Sequence, residues 1–209
     1  GVLQVTVSRS RFRLFDEVRR DRNQDGQFAD DETLLRAGES DGPFWINAAG
    51  VDFRAARDSD PRVQIEEQGP LRTTLRADAW LVDAQGNRAG KTVTRITVSA
   101  GQEQIGVTHT FIVTWDTVDR AMRIRDMGLA STPIGLDRAQ CTDRHWEPEF
   151  PLPETATLHL LVDRFNRFSV RESETGKILK SRFQRADGWA TRMRGWFGGM
   201  GPAGGVAVA

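Results

Sequence analysis

Residues 104 to 115, QIGVTHTFIVTW, place Ile105, Val107, His109, Phe111, Val113 and Trp115 on one side of an extended chain. A period of two sustained over that length describes a β-strand, because the apolar positions of an amphipathic helix recur every three or four residues. The run reads as a core-facing strand. The same alternation governs 71 to 83, LRTTLRADAWLVD. Here Leu71, Leu75, Ala77, Ala79 and Leu81 oppose Arg72, Thr74, Arg76 and Asp78, with Trp80 and Val82 on the outer face. The segment AQGN at 84 to 87 has turn chemistry, and KTVTRITVS at 91 to 99 resumes with β-branched residues. The three runs predict a meander of consecutive antiparallel strands.

Comparable patterns predict strands near 2 to 8, 11 to 19, 51 to 56, 62 to 67, 122 to 129, 156 to 163, 167 to 172 and 203 to 208. The stretch CTDRHWEPEFPLPE at 141 to 154, with three prolines and little periodicity, predicts a long ordered loop. No segment carries helical periodicity over ten or more residues. The expected fold class is therefore all-β, an antiparallel β-sandwich of supersandwich-like form, and not a parallel α/β sheet. A length of 209 residues suits one β-sandwich domain over 1–209. The chain begins without Met and stops on GGVAVA, an apolar alternating run, which suggests an N-terminal fragment of a larger multidomain protein.

Charge narrows the partners. The chain holds 29 basic and 29 acidic residues, a formal charge of zero, so no net field recruits nucleic acid. All the basic residues except Lys91, Lys177 and Lys180 are arginine, the side chain suited to fixed bidentate contacts with carboxylates. No apolar run approaches the roughly 18 residues of a membrane helix. Cys141 is the single cysteine, so an internal disulfide is impossible and the compartment stays open.

The sharpest local motif is DRNQDGQFADDE at 21 to 32. It sets Asp21, Asn23 and Asp25 at positions 1, 3 and 5 of a calcium loop, Gly26 at 6 and Glu32 at 12. Alternate side-chain oxygens would converge on one hard cation, the Gln27 carbonyl would add a ligand, and Glu32 would close the shell with both oxygens. Position 9 is the one oxygen position unmatched. The preceding RFRLFDEVRR predicts that a strand enters the loop where an EF-hand has a helix. The competing reading is an acidic Asn/Asp/Gly turn that binds nothing.

His109, His145 and His159 are the groups whose ordinary pKa lies nearest neutrality. His109 and His159 alternate with apolar residues, the position of a hydrogen-bonded core histidine as much as of a general base. His145 lies among Cys141, Asp143, Glu147 and Glu149, but no second cysteine or spaced histidine completes a zinc site. Of six tryptophans, Trp115 reads as core, while Trp45, Trp146 and Trp196 fall in loop-like or Gly-rich segments open to stacking on sugar rings. There is no P-loop, dinucleotide fingerprint, G-x-S-x-G elbow or H-E-x-x-H.

Taken together, LFDEVRRDRNQDGQF, VQIEEQGPLRTTLRADAWLVDAQG, KTVTRITVSAGQEQIGVTHTFIVT and RIRDMGLA resemble the N-terminal β-rich region of the exo-acting rhamnogalacturonan lyase family of polysaccharide lyases. The likeness covers most of 11 to 209 and rests on the order of these blocks, none of which is a catalytic signature alone. It implies a protein that cleaves a uronic-acid-containing glycan, rhamnogalacturonan-like pectin, by β-elimination. A base removes the C5 proton while a cation or arginine neutralises the carboxylate. It further implies an acidic polysaccharide or oligosaccharide as partner, a following helical toroid domain, and an extracellular or periplasmic setting. His109 is the local candidate for base, and Arg123 or Arg125 for carboxylate neutraliser. A lone sandwich would be inactive, because cleft and base need the toroid. The alternative is a non-catalytic, calcium-stabilised carbohydrate-binding or structural module.

Overall fold

The computed structural model describes residues 2–114, 123–141, 147–152, 156–161, 167–172, 175, 178–182, 197–201 and 204–208. The chain divides into two compact units, Gly1–Thr132 and Pro133–Ala209. Among the described residues the regular structure is antiparallel strand, with single 3₁₀ turns at Asp30–Glu32 and Ala55–Arg57 and no α-helix. Among them, no helix is long and apolar enough to cross a membrane.

The first unit pairs two sheets. Strands β1 (Leu3–Thr6), β2 (Glu17–Arg20) and β3 (Thr33–Arg36) form a three-stranded sheet in that order. The second sheet has seven strands: β4 (Gly42–Asn47), β5 (Asp52–Arg54), β6 (Arg62–Gln68), β7 (Arg72–Val82), β8 (Arg88–Ser99), β9 (Ile105–Val113) and β10 (Ile124–Ala130). Their order is β10-β4-β5-β7-β8-β9, with β6 also paired to β7. The predicted meander is present as β7, β8 and β9. Its first hairpin turns at Gly86, whose φ of 89° suits glycine, while Asp83 Oδ1 accepts the amides of Gln85 at 2.9 Å and Asn87 at 2.8 Å.

The register fixes which face is buried. Leu75 lies opposite Ile96, Ala77 opposite Thr94, Ala79 opposite Thr92 and Leu81 opposite Gly90. A one-residue slip would turn this whole row to solvent. Phe12, Leu14, Val18 and Leu35 from the segments of the small sheet join Trp45, Phe53, Ala77, Leu81 and Ile96 of the large one in a single core. Two sheets burying one core make a β-sandwich, as the alternation predicted.

Several sequence expectations change. The predicted strand at 11 to 19 is regular only over β2, because Leu14 takes a φ of 72° and turns the chain. That bend lets Phe12, Leu14 and Phe15 all point inward, which a period of two forbids. β9 was expected to face the core throughout. It is instead the terminal strand of its sheet, and Val107 and Val113 on its inner face are 37% and 47% exposed. β3 and β4 are strands that the sequence pattern does not signal.

In the second unit, β11 (Arg138–Cys141), β12 (Glu147–Pro151), β16 (Phe197–Gly201) and β17 (Gly204–Val208) form a sheet in the order β12-β11-β16-β17. β13 (Ala156–Leu161), β14 (Arg167–Glu172) and β15 (Ile178–Arg182) form another. The loop expected at 141 to 154 therefore contains a strand. Pro148 and Pro151 are tolerated because β12, among the described residues, pairs only with β11 and so stands at an edge, where a missing N–H interrupts no central ladder.

Candidate functional site

β2 ends at Arg20 and delivers the chain into the 21–32 loop, as the sequence anticipated. The Asp21 amide donates to the Val2 carbonyl at 3.2 Å, and Asp21 Oδ2 accepts the Gly26 amide at 3.0 Å, folding the carboxylate back into the turn. Asn23 Oδ1 accepts the Asp25 amide at 2.9 Å, and Asp25 Oδ1 accepts the Gln27 amide at 2.7 Å. Left-handed φ values at Gln24 (60°) and Gly26 (80°) make this bend possible. Asp21 is 8% exposed, and its Oδ1 is buried without a hydrogen-bond donor among the described residues.

Glu32 is also buried. Its Oε1 accepts the amides of Arg22 at 2.8 Å and Asn23 at 3.4 Å, and its Oε2 accepts that of Ala29 at 3.1 Å. These backbone donors hold its carboxyl below the usual glutamate range. The outer acids are partnered separately, Asp30 by Arg19 at 2.9 Å and Asp31 by Arg22. Amides and arginines can thus close the loop, so repulsion among its acids does not by itself demand a cation. Among the described residues no three His, Cys, Asp or Glu side chains gather tightly enough to hold a metal ion.

His109 lies on the inner face of β9, opposite Thr94, whose Oγ1 is 2.7 Å from its Nδ1. Phe111 packs edge-on against the imidazole, with ring centroids 4.4 Å apart. Nε2 is buried without a partner among the described residues. Burial pushes the imidazole pKa down from 6.5 to about 4, so the ring is neutral at pH 7. Neutrality suits a base, but both nitrogens are closed to a substrate. Arg123 and Arg125 are exposed, and the Arg123 carbonyl accepts the Ala48 amide at 2.9 Å. In the strand order β4, β5, β7 and β8 lie between the strand of Arg125 and that of His109.

Between about 4 and 6.5 the unfolded chain binds a proton at His109 that the folded chain refuses, so this contribution to stability is complete above 6.5 and is lost as pH falls toward 4. Urea unfolding at pH 7 and pH 5 is expected to show a smaller loss for His109→Gln than for the unaltered chain. Equal losses would mean that the imidazole titrates normally.

Trp45, expected in a loop, stands in β4 and is 3% exposed, against Phe53 with ring centroids 6.1 Å apart. Its neighbours Phe44 and Ile46 give β4 the alternation that a proline at 43 and a glycine at 42 obscure. Trp146 and Trp196 lie outside the described residues. Trp80 is the indole that the sheet brings to its outer face. Lys91 lies opposite it across the hairpin, with Nζ 4.7 Å from the ring centroid, and Arg88 Cζ is 5.0 Å away. On the same face Arg76 is paired with Asp78 and Arg95 with Glu66, whereas among the described residues no carboxylate pairs with Arg88 or Lys91. The signal was present in the sequence as the outward phase of Trp80 and the hairpin register.

No family model, curated protein or solved structure matches the chain.

Proposed function

We propose that this chain is the β-sandwich portion of a polysaccharide lyase acting on a uronic-acid-containing glycan, and that its described residues hold the acidic sugar chain without breaking it. The observation that carries this reading is the pair of cations on Trp80, which have no ion pair among the described residues, whereas Arg76 and Arg95 on the same face are neutralised. A uronate carboxylate supplies the missing charge. Each exposed contact of this kind is worth about 0.2–1 kcal/mol, so one site binds weakly and a polymer gains by engaging repeated groups. The closed nitrogens of His109 favour holding over cleavage. β-Elimination needs a base that reaches the C5 proton.

The test is the natural polypeptide incubated with pectic polysaccharide while absorbance of the unsaturated uronate product is followed. Product is expected, and Arg88→Ala/Lys91→Ala should raise KM several-fold while kcat changes little. Retention on the polysaccharide without product would support the alternative, a non-catalytic carbohydrate-binding module. Loss of kcat on His109→Gln in a folded chain would sink the scaffold role.

Calcium belongs to the same proposal, held by Asp21, Asn23, Asp25, the Gln27 carbonyl and Glu32. Support comes from Asp21 Oδ1, a buried oxygen with no donor at the position where the spacing sets the first ligand. Glu32 would have to share its oxygens between the cation and the three amides it now accepts. Affinity is expected between about 10⁻⁷ and 10⁻³ M, and calcium at a hundred times its Kd would add about 2.7 kcal/mol. Thermal unfolding with calcium and with chelator should separate for the unaltered chain and converge for Asp21→Asn. Superimposed curves for the unaltered chain would leave only an acidic turn held by Glu32.

A further inference from the structure

β9 is hydrogen-bonded on one side only. Its pairing with β8 runs from Gly90 opposite Val113 to Val98 opposite Ile105 without a register shift, and among the described residues nothing pairs with its other side. An open edge presents a row of unpaired N–H and C=O groups, and proteins commonly blunt such edges with bulges, charges or proline. Among the described residues, the other free edges of the same sheet are treated that way. β10 carries a bulge between Ile124 and Asp126 and the charges of Arg125 and Asp126. β6 carries a bulge between Ile65 and Glu67 and the acids Glu66 and Glu67. β9, IGVTHTFIV, has no bulge, no proline, and neither lysine, arginine nor carboxylate.

We propose that this edge recognises a second copy of the same chain, two β9 strands pairing antiparallel with His109 at the centre. The argument for self-recognition is the near-palindrome about that residue. Antiparallel pairing about His109 sets Thr108 opposite Thr110, Val107 opposite Phe111, Gly106 opposite Ile112 and Ile105 opposite Val113, each pair formed twice by the two-fold. Threonine meets threonine on the outer face, and apolar residues meet apolar residues on the inner face. Val107, Ile112 and Val113, 37%, 39% and 47% exposed, gain cover. Ile112 fits over the bare backbone of Gly106. A formal charge of zero on each copy leaves no net repulsion to overcome. The two central imidazoles are neutral at pH 7, so they do not repel.

The register gives the test, because position 108 of one copy meets position 110 of the other. Sedimentation equilibrium at pH 7.5, at concentrations up to about 0.5 mM, should show a reversible dimer of the unaltered chain. Thr108→Lys/Thr110→Lys sets lysine against lysine twice and should weaken the dimer at least tenfold. Thr108→Glu/Thr110→Lys sets glutamate against lysine twice and should restore it. Both positions are exposed, and unchanged melting at low concentration would confirm that the fold tolerates them. Amide exchange over 105 to 113 in the unaltered chain should slow as concentration rises, a readout that needs no variant. A monomer throughout this range, a dimer indifferent to the double lysine, or no difference between the two double variants would overturn the proposal.

Discussion

Phe12→Ala is expected to lower the free energy of unfolding by about 3–5 kcal/mol, the range for removing a buried aromatic ring from a core. Phe12 is wholly buried, and it reaches the core from an irregular segment in place of a strand. The residues that follow it are fixed. Leu14 turns with its positive φ, and the Arg13 carbonyl accepts the Phe15 amide at 3.0 Å. The backbone therefore cannot slide inward to fill the space that the ring vacates, which is the condition under which a cavity costs most. Urea unfolding of Phe12→Ala beside Leu71→Ala provides the measurement. Leu71 is 77% exposed, and its truncation should change stability by no more than about 0.5 kcal/mol. A loss below about 1 kcal/mol for Phe12→Ala would show that the ring does not anchor the two sheets.

Gly42→Ala is expected to cost about 2–5 kcal/mol, although it adds one methyl group. Gly42 has a φ of 100°, and a Cβ there would lie 3.0 Å from Arg13 Cα, 3.1 Å from its carbonyl carbon and 3.2 Å from the Phe12 oxygen. The conformation alone accounts for about 1–2 kcal/mol. Displacing packed backbone adds about 1–3 kcal/mol more. Gly86→Ala separates the two causes, because Gly86 has a φ of 89° and nothing within 4 Å of the added carbon. The difference between their urea midpoints isolates the steric part, and equal midpoints would rule it out. Because Gly42 abuts the segment that carries Phe12, the double variant should lose less than the two single losses combined.

The meander was legible because 71 to 113 obeys one rule, alternation interrupted by turns, and the register followed from which face is apolar. The rule fails where the chain leaves regular geometry. Leu14 adopts a backbone state that a sequence gives no reason to assign to leucine, and three inward side chains in four residues are the result. Gly42 and Pro43 at its start mask β4, so the sequence pattern points Trp45 to a loop although its ring completes the core. β12 was hidden by prolines that only an edge position excuses.

The candidate site divides in the same way. Ligand spacing at 21 to 32 is a local property, and the turn around Gly26 follows it. What Glu32 does is set by the return of the chain, which brings its carboxylate to the amides of Arg22 and Asn23. His109 was visible as a histidine on an apolar face. Its closure depends on Thr94 across the ladder, a partner that the hairpin register supplies and composition does not.

The place of β10 bears on synthesis. β7, β8 and β9 each pair with the strand made just before them, so this part of the sheet can zip as it leaves the ribosome. β4 cannot be completed that way. On one side it takes β5, but the ladder on its other side is closed by β10, Gly42 lying opposite Ala130 and Trp45 opposite Met127. Until residue 130 has emerged, the strand that carries Pro43 and Trp45 has an unmatched side, and the nascent chain passes through a stage in which its own later segment competes with chaperones and neighbouring chains for that position.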